Sequence, residues 1–330
     1  MSNKDSDNDM KKPDIIVICG PTGIGKTSAA IGLAKAVNGK IISADSMQVY
    51  RYMDIGTAKP TLEERLEAHH DLIDVVDPDE DFDAARFSTL ADGFIRTYQQ
   101  AGVVPVVAGG TGLYIKSLVS GLFRARPVDS AVMARLEREA DELGTAVMHE
   151  RLALVDPKAA DRIHPNDRFR ILRALEIFAT TGKPISEYHA AHGFADQPYR
   201  VLKIGLSMDR ELLYHRINKR VDLMIEQGLL GEVESLINRG YPSSLKSMGS
   251  LGYRHMAGYL NGEFTFDEAV ILLKRDTRRY AKRQMTWFRA DSDIQWVEPG
   301  DVDTVIEKAV IFLGKHADGS GYISMLNAVS

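Results

Sequence analysis

Cysteine is nearly absent: the 330 residues include one, Cys19. No intramolecular disulfide can form, which fits a reducing compartment such as the cytoplasm. Cys19 lies in an apolar run and is expected to be a buried core thiol rather than a reactive one. No run of about 18 apolar residues occurs, so no membrane span is expected. Met1 to Lys12 is polar and charged, without the apolar core of a signal peptide. The histidines, His69, His70 and His164 among them, lack metal-ligand spacing, so no zinc site is expected. A strong charge of one sign is also missing. The net charge is -5, and only residues 201–290 are basic, with 15 Lys+Arg against 10 Asp+Glu. A nucleic-acid partner would therefore be held by a local patch, not by a basic domain.

What is present alternates between strand and helix. Ile15-Ile16-Val17-Ile18 reads as a strand buried on both faces. A helix is expected from Lys26 to Val37, with Ala29, Ala30, Leu33 and Val37 at helical spacing. Strands follow at Lys40–Ala44 and Val103–Ala108, with helical pattern around Thr61–Glu67 and Ala84–Ala101. Residues 129–194 read as helices broken near Asp156-Pro157, His164-Pro165 and Gly182-Lys183-Pro184. Val201–Leu206 reads as a strand rejoining the sheet, and Asp209 as the cap of a further helix. The fold class expected is α/β: a P-loop NTPase-like, doubly wound, mostly parallel sheet with a helical insertion. The boundaries are a disordered lead-in at 1–13, a core at 14–120 and 201–313, an insertion at 121–200, and a flexible tail at 314–330.

Between the first strand and first helix stands Gly20-Pro21-Thr22-Gly23-Ile24-Gly25-Lys26-Thr27, which fits G-x-x-x-x-G-K-[ST] at every fixed position. Glycines let the backbone curl its N–H groups toward phosphate oxygens, and the helix N-terminus adds partial positive charge. Lys26 places a cation on the terminal phosphate, and Thr27 can hold Mg2+. ATP-using kinases and NTPases are the usual owners of such a loop. They normally carry a metal-holding acid after a later apolar strand. Here Val103–Ala108 ends in Gly109-Gly110-Thr111-Gly112, without one.

The acid that does end a strand is Asp45, in Ser43-Ala44-Asp45-Ser46-Met47-Gln48. Ligands of open α/β sheets bind outside the carboxyl ends of strands. Asp45 is thus a proton acceptor, a metal ligand, or a plain turn residue. The glycines at 109–112 permit close backbone approach to a ligand, or simply make a turn. Arg216 and Arg220 share a helix face, either clamping a diphosphate or facing solvent. Lys274–Arg289 holds seven basic residues and one acid. Arg275, Arg278, Arg279, Lys282 and Arg289 fall on one side, while Leu273, Tyr280 and Trp287, seven apart, suggest a core seam. Arg168, Arg170 and Arg173 form a smaller basic group.

Several segments in order resemble bacterial tRNA dimethylallyltransferases. They are Gly20–Thr27, Ser43–Tyr50, Met53–Pro60, Gly109-Gly110-Thr111, Arg162–Asp167, Gly252-Tyr253-Arg254 and Lys282–Arg289. The resemblance implies transfer of a dimethylallyl group from dimethylallyl diphosphate to N6 of adenosine 37 in tRNA, with Mg2+ assisting. It implies that Gly20, Pro21, Thr22, Gly23, Ile24, Gly25, Lys26 and Thr27 cradle the donor's diphosphate. Thr22, Lys26, Thr27 and Arg220 would stabilise the leaving group, Thr27 would bind Mg2+, and Asp45 would be the base. Asp45, Ser46, Met47, Gln48 and Thr111 would meet the target nucleotide. Phe169, Arg170, Ile171, Leu172 and Arg173 would contact the tRNA, as would Gly252, Tyr253, Arg254, Lys282, Arg283, Gln284, Trp287 and Arg289. A cytoplasmic monomer with no obligate protein partner and no membrane association is implied as well. Two positions depart from the usual pattern. Gly249 stands where many relatives carry Gln or Arg, and Tyr52 where Gly is frequent. Other uses of the loop remain: a small-molecule kinase, a prenyltransferase for free AMP or ADP, or an RNA-binding module.

Overall fold

Ile15 to Cys19 are buried without interruption, so their backbone polar groups must be satisfied by neighbouring strands on both sides. That is how the chain builds its sheet. The structure, a computed structural model, describes residues 12–121, 128–192 and 198–314. The expected lead-in and tail fall almost wholly outside the described residues. The first half of the core runs β1 (Asp14–Cys19), α1 (Lys26–Val37), β2 (Gly39–Ser43), α2 (Leu62–Glu67), β3 (His70–Asp71), α3 (Ala84–Gln100), β4 (Val104–Gly109) and α4 (Gly112–Ser120). Five helices follow: α5 (Ser130–Leu143), α6 (Thr145–Val155), α7 (Pro157–Ala160), α8 (Arg168–Thr181) and α9 (Ile185–His192). The core resumes with β5 (Arg200–Leu206), α10 (Arg210–Glu226), α11 (Leu229–Asn238), α12 (Tyr253–Leu260), α13 (Phe266–Arg289), β6 (Ile294–Val297) and α14 (Val302–Phe312).

The chain divides into two compact units, Met1–Val119 with Pro198–Ser330, and Ser120–Gln197. Arg200 therefore belongs to the core: it opens β5 and pairs with Asp14 of β1. In the second unit, Leu136, Met148, Leu152, Ile171, Leu172 and Leu175 bury one another as a separate core. Three of its five helices start on Asp129, Asp156 and Asp167, whose side chains accept backbone N–H groups of the first turn.

The core sheet has six strands, all parallel, in the order β3-β2-β4-β1-β5-β6. Register fixes what comes next. Cys19 lies level with Gly109, and Ser43 level with Ala108. The three segments that follow β1, β2 and β4 therefore leave the sheet side by side, at its carboxyl edge. Gly109 has no room for a side chain, because a Cβ there would stand 2.1 Å from the Ala44 carbonyl oxygen. β2 and β4 can approach this closely only with glycine at that position.

Cys19 is 1% exposed, and burial pushes its thiol up to about 12. Native protein at pH 8 should resist iodoacetamide, since only about one thiol in ten thousand would be ionised. Intact mass should show one adduct in denaturant and none without it. Rapid labelling of the native protein would contradict the buried position.

Candidate functional site

The glycine-rich loop joins β1 to α1, as its spacing requires. Gly25 caps the helix at φ +104°, a conformation that favours glycine. Thr22, Gly23, Gly25, Lys26 and Thr27 line a cavity of about 370 Å3. The buried Ile24 packs into the core instead. Asp45, Ser46, Met47 and Gln48 form the turn after β2 and line the same cavity. Arg220 enters from α10, Ser250 from the segment leading into α12, Arg254 from the first turn of α12, and Tyr280 and Arg283 from α13.

Asp45 is held by its own turn. Its Oδ1 accepts the backbone N–H of Met47 at 2.8 Å and of Gln48 at 3.4 Å. The Thr111 hydroxyl accepts the Ser46 N–H at 3.0 Å, so Thr111 braces this turn and does not line the cavity. Lys26 donates to the Pro21 carbonyl at 2.8 Å. Burial lowers its ammonium to about 8, with Asp45 opposing and Arg220 adding to the shift. Burial also lowers Arg220, and Asp45 draws it back up. Neither cation has a carboxylate within ion-pair distance among the described residues. Two unpaired cations and one turn-fixed carboxylate therefore share a cavity, which is the electrostatic profile of an anion site with a base beside it.

Part of the lining is apolar. Ile217, Val221 and Met224 of α10 and Leu273 of α13 face the cavity. Spacing marks Ile217, Val221 and Met224 as one helix face, but it does not separate a cavity wall from core. Tyr280, raised to about 12 chiefly by burial and then by Asp45, stays a neutral phenol there.

The structure corrects several expected contacts. Gln284 is buried, and both ends of its amide are spent inside the protein. Its Oε1 accepts the Thr22 N–H at 2.9 Å and its Nε2 donates to the Gly110 carbonyl at 2.8 Å. It ties the loop to the turn after β4, so its amide and the Thr22 N–H are engaged by protein although both residues line the cavity. Tyr253 is fully buried and donates to Glu232 at 2.6 Å. Gly252 is its buried helix cap, at φ +89°. Ile171 and Leu172 belong to the core of the second unit. In that unit Phe169 and Arg170 are exposed, and Arg173 pairs with Glu176. The space that Gly110 and Gly112 leave open is filled by protein. A Cβ would meet the Gln284 amide 2.5 Å away at Gly110, and the Trp287 ring 2.2 Å away at Gly112. The expected seam Leu273, Tyr280, Trp287 does not hold either. The buried line runs Leu273, Ala281, Gln284, Phe288, and Trp287 is 41% exposed. A straight helix drifts about 20° per heptad, which carries a strict seven-residue line off the core. The basic stripe is also uneven. Lys274 and Arg275 pair with Asp222 and Asp276, and Arg278 donates to Asn218. Lys282 and Arg289 instead rim a second cavity of about 230 Å3 beside Pro21 and Met285. Arg216 is exposed, its Nη2 3.5 Å from where a Cβ on Gly25 would stand.

Sequence reasoning missed two residues that shape the wall. Glu232 accepts the backbone N–H groups of Asp54, Ile55 and Gly56 at 2.8–3.1 Å. Lys59 is buried between Asp54, Asp74 and the Tyr50 carbonyl. Together they hold the segment that carries Gly56, Thr57 and Ala58 into the cavity. Tyr52 sits at φ +66°, which explains why glycine suits that position.

Replacing Gln284 by Leu would leave the Thr22 N–H and the Gly110 carbonyl without partners. The expected cost is about 1–3 kcal/mol of stability, read as a lowered thermal midpoint. An unchanged midpoint would mean that the loop does not depend on this bridge.

Comparison with known proteins shows the family. The family model for IPP transferase matches residues 48–291, and that for isopentenyl transferase matches residues 13–73. The chain is 57% identical over 287 residues to the tRNA dimethylallyltransferase of Desulfosudis oleivorans, covering 87% of this chain and 91% of that one. It is 50% identical over 303 residues to the enzyme of the same name from Geobacter metallireducens, covering 92% and 98%. Among solved structures it resembles the tRNA isopentenylpyrophosphate transferase of Bacillus halodurans, at TM-score 0.68 and 41% identity over 92% of this chain and 96% of that one. It also resembles a eukaryotic dimethylallyltransferase acting on tRNA, at TM-score 0.74 and 28% identity over 94% and 81%.

Proposed function

The chain belongs to the IPP transferase family, and from that premise we propose that it transfers a dimethylallyl group from dimethylallyl diphosphate to N6 of adenosine 37 in tRNA. The observation that carries this reading is the cavity itself. Lys26 and Arg220, without carboxylate partners, the apolar Ile217, Val221, Met224 and Leu273, and one turn-fixed carboxylate, Asp45, line it together. A diphosphate with a short branched hydrocarbon tail matches the first two, and an amine that must lose a proton matches the third.

The step runs as follows. The N6 lone pair attacks the allylic carbon and a C–N bond forms. The carbon–oxygen bond to diphosphate breaks, its electron pair leaving with the phosphate oxygen. The N6 proton passes to Asp45. An exocyclic adenine amine is a poor nucleophile, because its lone pair is delocalised into the ring, so proton removal during attack matters. Lys26, Arg220 and the Thr22 hydroxyl take up the charge that develops on the leaving diphosphate. The adenine leaves the anticodon stack to reach Asp45, at a cost of a few kcal/mol.

The donor set suits Mg2+. Thr27 brings a hydroxyl to the cavity, and no cluster of three or more His, Cys, Asp or Glu side chains exists among the described residues to form a full protein cage. An ion held by one or two protein groups and by substrate phosphates is the usual arrangement for Mg2+. Thr27 would be its protein ligand, and the ion neutralises diphosphate charge when bound.

Ser46, Met47 and Gln48 meet the target nucleotide. Phe169, Arg170, Arg254, Lys282, Arg283, Trp287 and Arg289 supply the exposed contacts to the rest of the tRNA. Action as a monomer is part of the same proposal. A tRNA substrate supports a place in the cytoplasm. No described helix is long and apolar enough to cross a membrane.

The test is incubation with radiolabelled dimethylallyl diphosphate, Mg2+ and either unmodified tRNA or AMP. Label entering tRNA alone supports the reading. Label entering AMP alone would move the protein to mononucleotide chemistry.

A further inference from the structure

The basic run of α13 contains one acid, Asp276, and the transfer chemistry does not use it. On a surface that faces RNA phosphates, a carboxylate weakens binding, so its presence needs a reason. Its partners supply one. Oδ2 of Asp276 accepts from Nη2 of Arg254 at 2.8 Å and lies 3.3 Å from Nε2 of His255. Oδ1 accepts from Nε of Arg275 at 2.9 Å and stands 3.6 Å from Arg279. His255 is buried, and its Nδ1 lies 3.4 Å from the Gly252 N–H. That contact assigns Nδ1 as an acceptor and leaves Nε2–H to donate to Asp276. The carboxylate is thus gripped from behind by a buried imidazole and holds in front an arginine that lines the reaction cavity. Burial raises the Asp276 carboxyl, but hydrogen bonds from Arg275, Arg254 and His255 outweigh it and keep the group well below the carboxylate range.

Resting on the transferase reading above, we infer that Asp276 is a positioning residue: it holds the Arg254 guanidinium at the cavity wall, and so fixes the acceptor tRNA for transfer. Arginine has a long stem with about 2 kcal/mol of rotamer freedom, and an unrestrained one would follow any nearby phosphate. Held by Asp276 from one side, Arg254 presents its remaining N–H groups in one direction.

The test uses Asp276→Asn, because positioning and plain electrostatics predict opposite signs. If Asp276 were only a negative charge among cations, its loss would tighten tRNA binding and leave turnover equal or faster. If it positions Arg254, tRNA binding at low salt should be unchanged or tighter, while single-turnover transfer falls about tenfold or more. The KM for dimethylallyl diphosphate should stay at the wild-type value. Asp276→Asn combined with Arg254→Ala should be no slower than Arg254→Ala alone. Equal or faster transfer in Asp276→Asn, or additive losses in the double variant, would overturn the inference. His255→Ala loosens the carboxylate without changing its charge and should show a smaller loss of the same kind. A wild-type rate in His255→Ala would count against the bracing. Inorganic diphosphate binding by each variant reports whether the loop side remains folded. Wild-type protein that labels only AMP, or no acceptor, would instead remove the transferase reading, independently of what Asp276 does.

Discussion

Asp45→Asn is expected to lower turnover by about 10²–10⁴-fold while tRNA and donor binding persist, the range lost when a positioned general base is removed. The substitution is unusually clean at this position. Asp45 uses Oδ1 to accept the Met47 and Gln48 N–H groups. Asparagine keeps a carbonyl oxygen for those bonds, so the turn survives and only the proton acceptor is lost. The comparison that matters is the single-turnover rate with saturating donor and tRNA, set beside tRNA affinity from filter binding. A normal rate would remove Asp45 as the base. A lost rate with lost tRNA affinity would make it a binding residue instead. Asp45 also draws Lys26 and Arg220 toward their charged forms, so the variant should weaken donor binding somewhat, by less than it lowers the rate.

The elements that carry strong local signals were legible in the chain. α1 is bounded by a glycine-rich loop and closed by Asn38 at φ +55°, and its extent Lys26–Val37 follows from apolar spacing alone. β3, β6 and α14 were not legible. β3 is two residues long, too short for any pattern. β6 is an edge strand whose buried ends, Ile294 and Val297, flank the exposed Gln295 and Trp296, which breaks the alternation expected of a half-buried strand. α14 is placed by Val302, whose Cγ1 would stand 2.7 Å from a Cβ on Gly32 of α1, a fit visible only in three dimensions.

The site divides in the same way. Lys26 and Asp45 were readable because the ends of parallel strands converge on one crevice, so polar residues placed there meet; Arg220, within α10, was assigned to it by the family resemblance alone. The contiguous RNA-contact segments misled in detail. A helical run such as Phe169–Arg173 or Lys282–Arg289 must turn part of its side chains inward, and Ile171, Leu172 and Gln284 are those residues. Motif membership says that a segment matters, whereas the helical period decides which of its side chains can touch a partner.

The loop lysine gives the second large effect. Lys26→Ala should cost about 10²–10³-fold in kcat/KM for dimethylallyl diphosphate, the scale of removing one preorganised donor to developing negative charge. Lys26→Arg separates charge from shape through pH. In the folded protein burial brings Lys26 down to about 8 from 10.5, so the free enzyme sheds this proton as pH rises through 8. An unfolded chain keeps the proton up to about 10.4, so this residue makes the free fold gain stability between pH 8 and that value and penalises it below. Donor binding has the opposite dependence. A bound diphosphate favours the ammonium, so affinity should fall as pH rises through 8, and binding should take up a proton there. Calorimetry in two buffers of different ionisation enthalpy measures that uptake directly. The ligand's own titration is common to both proteins, so the difference between wild type and Lys26→Arg isolates the lysine. The arginine variant should bind with a flatter pH profile above 8 and take up less proton. Equal uptake by the two would mean that Lys26 is already fully charged in the free protein, and that burial does not tune it.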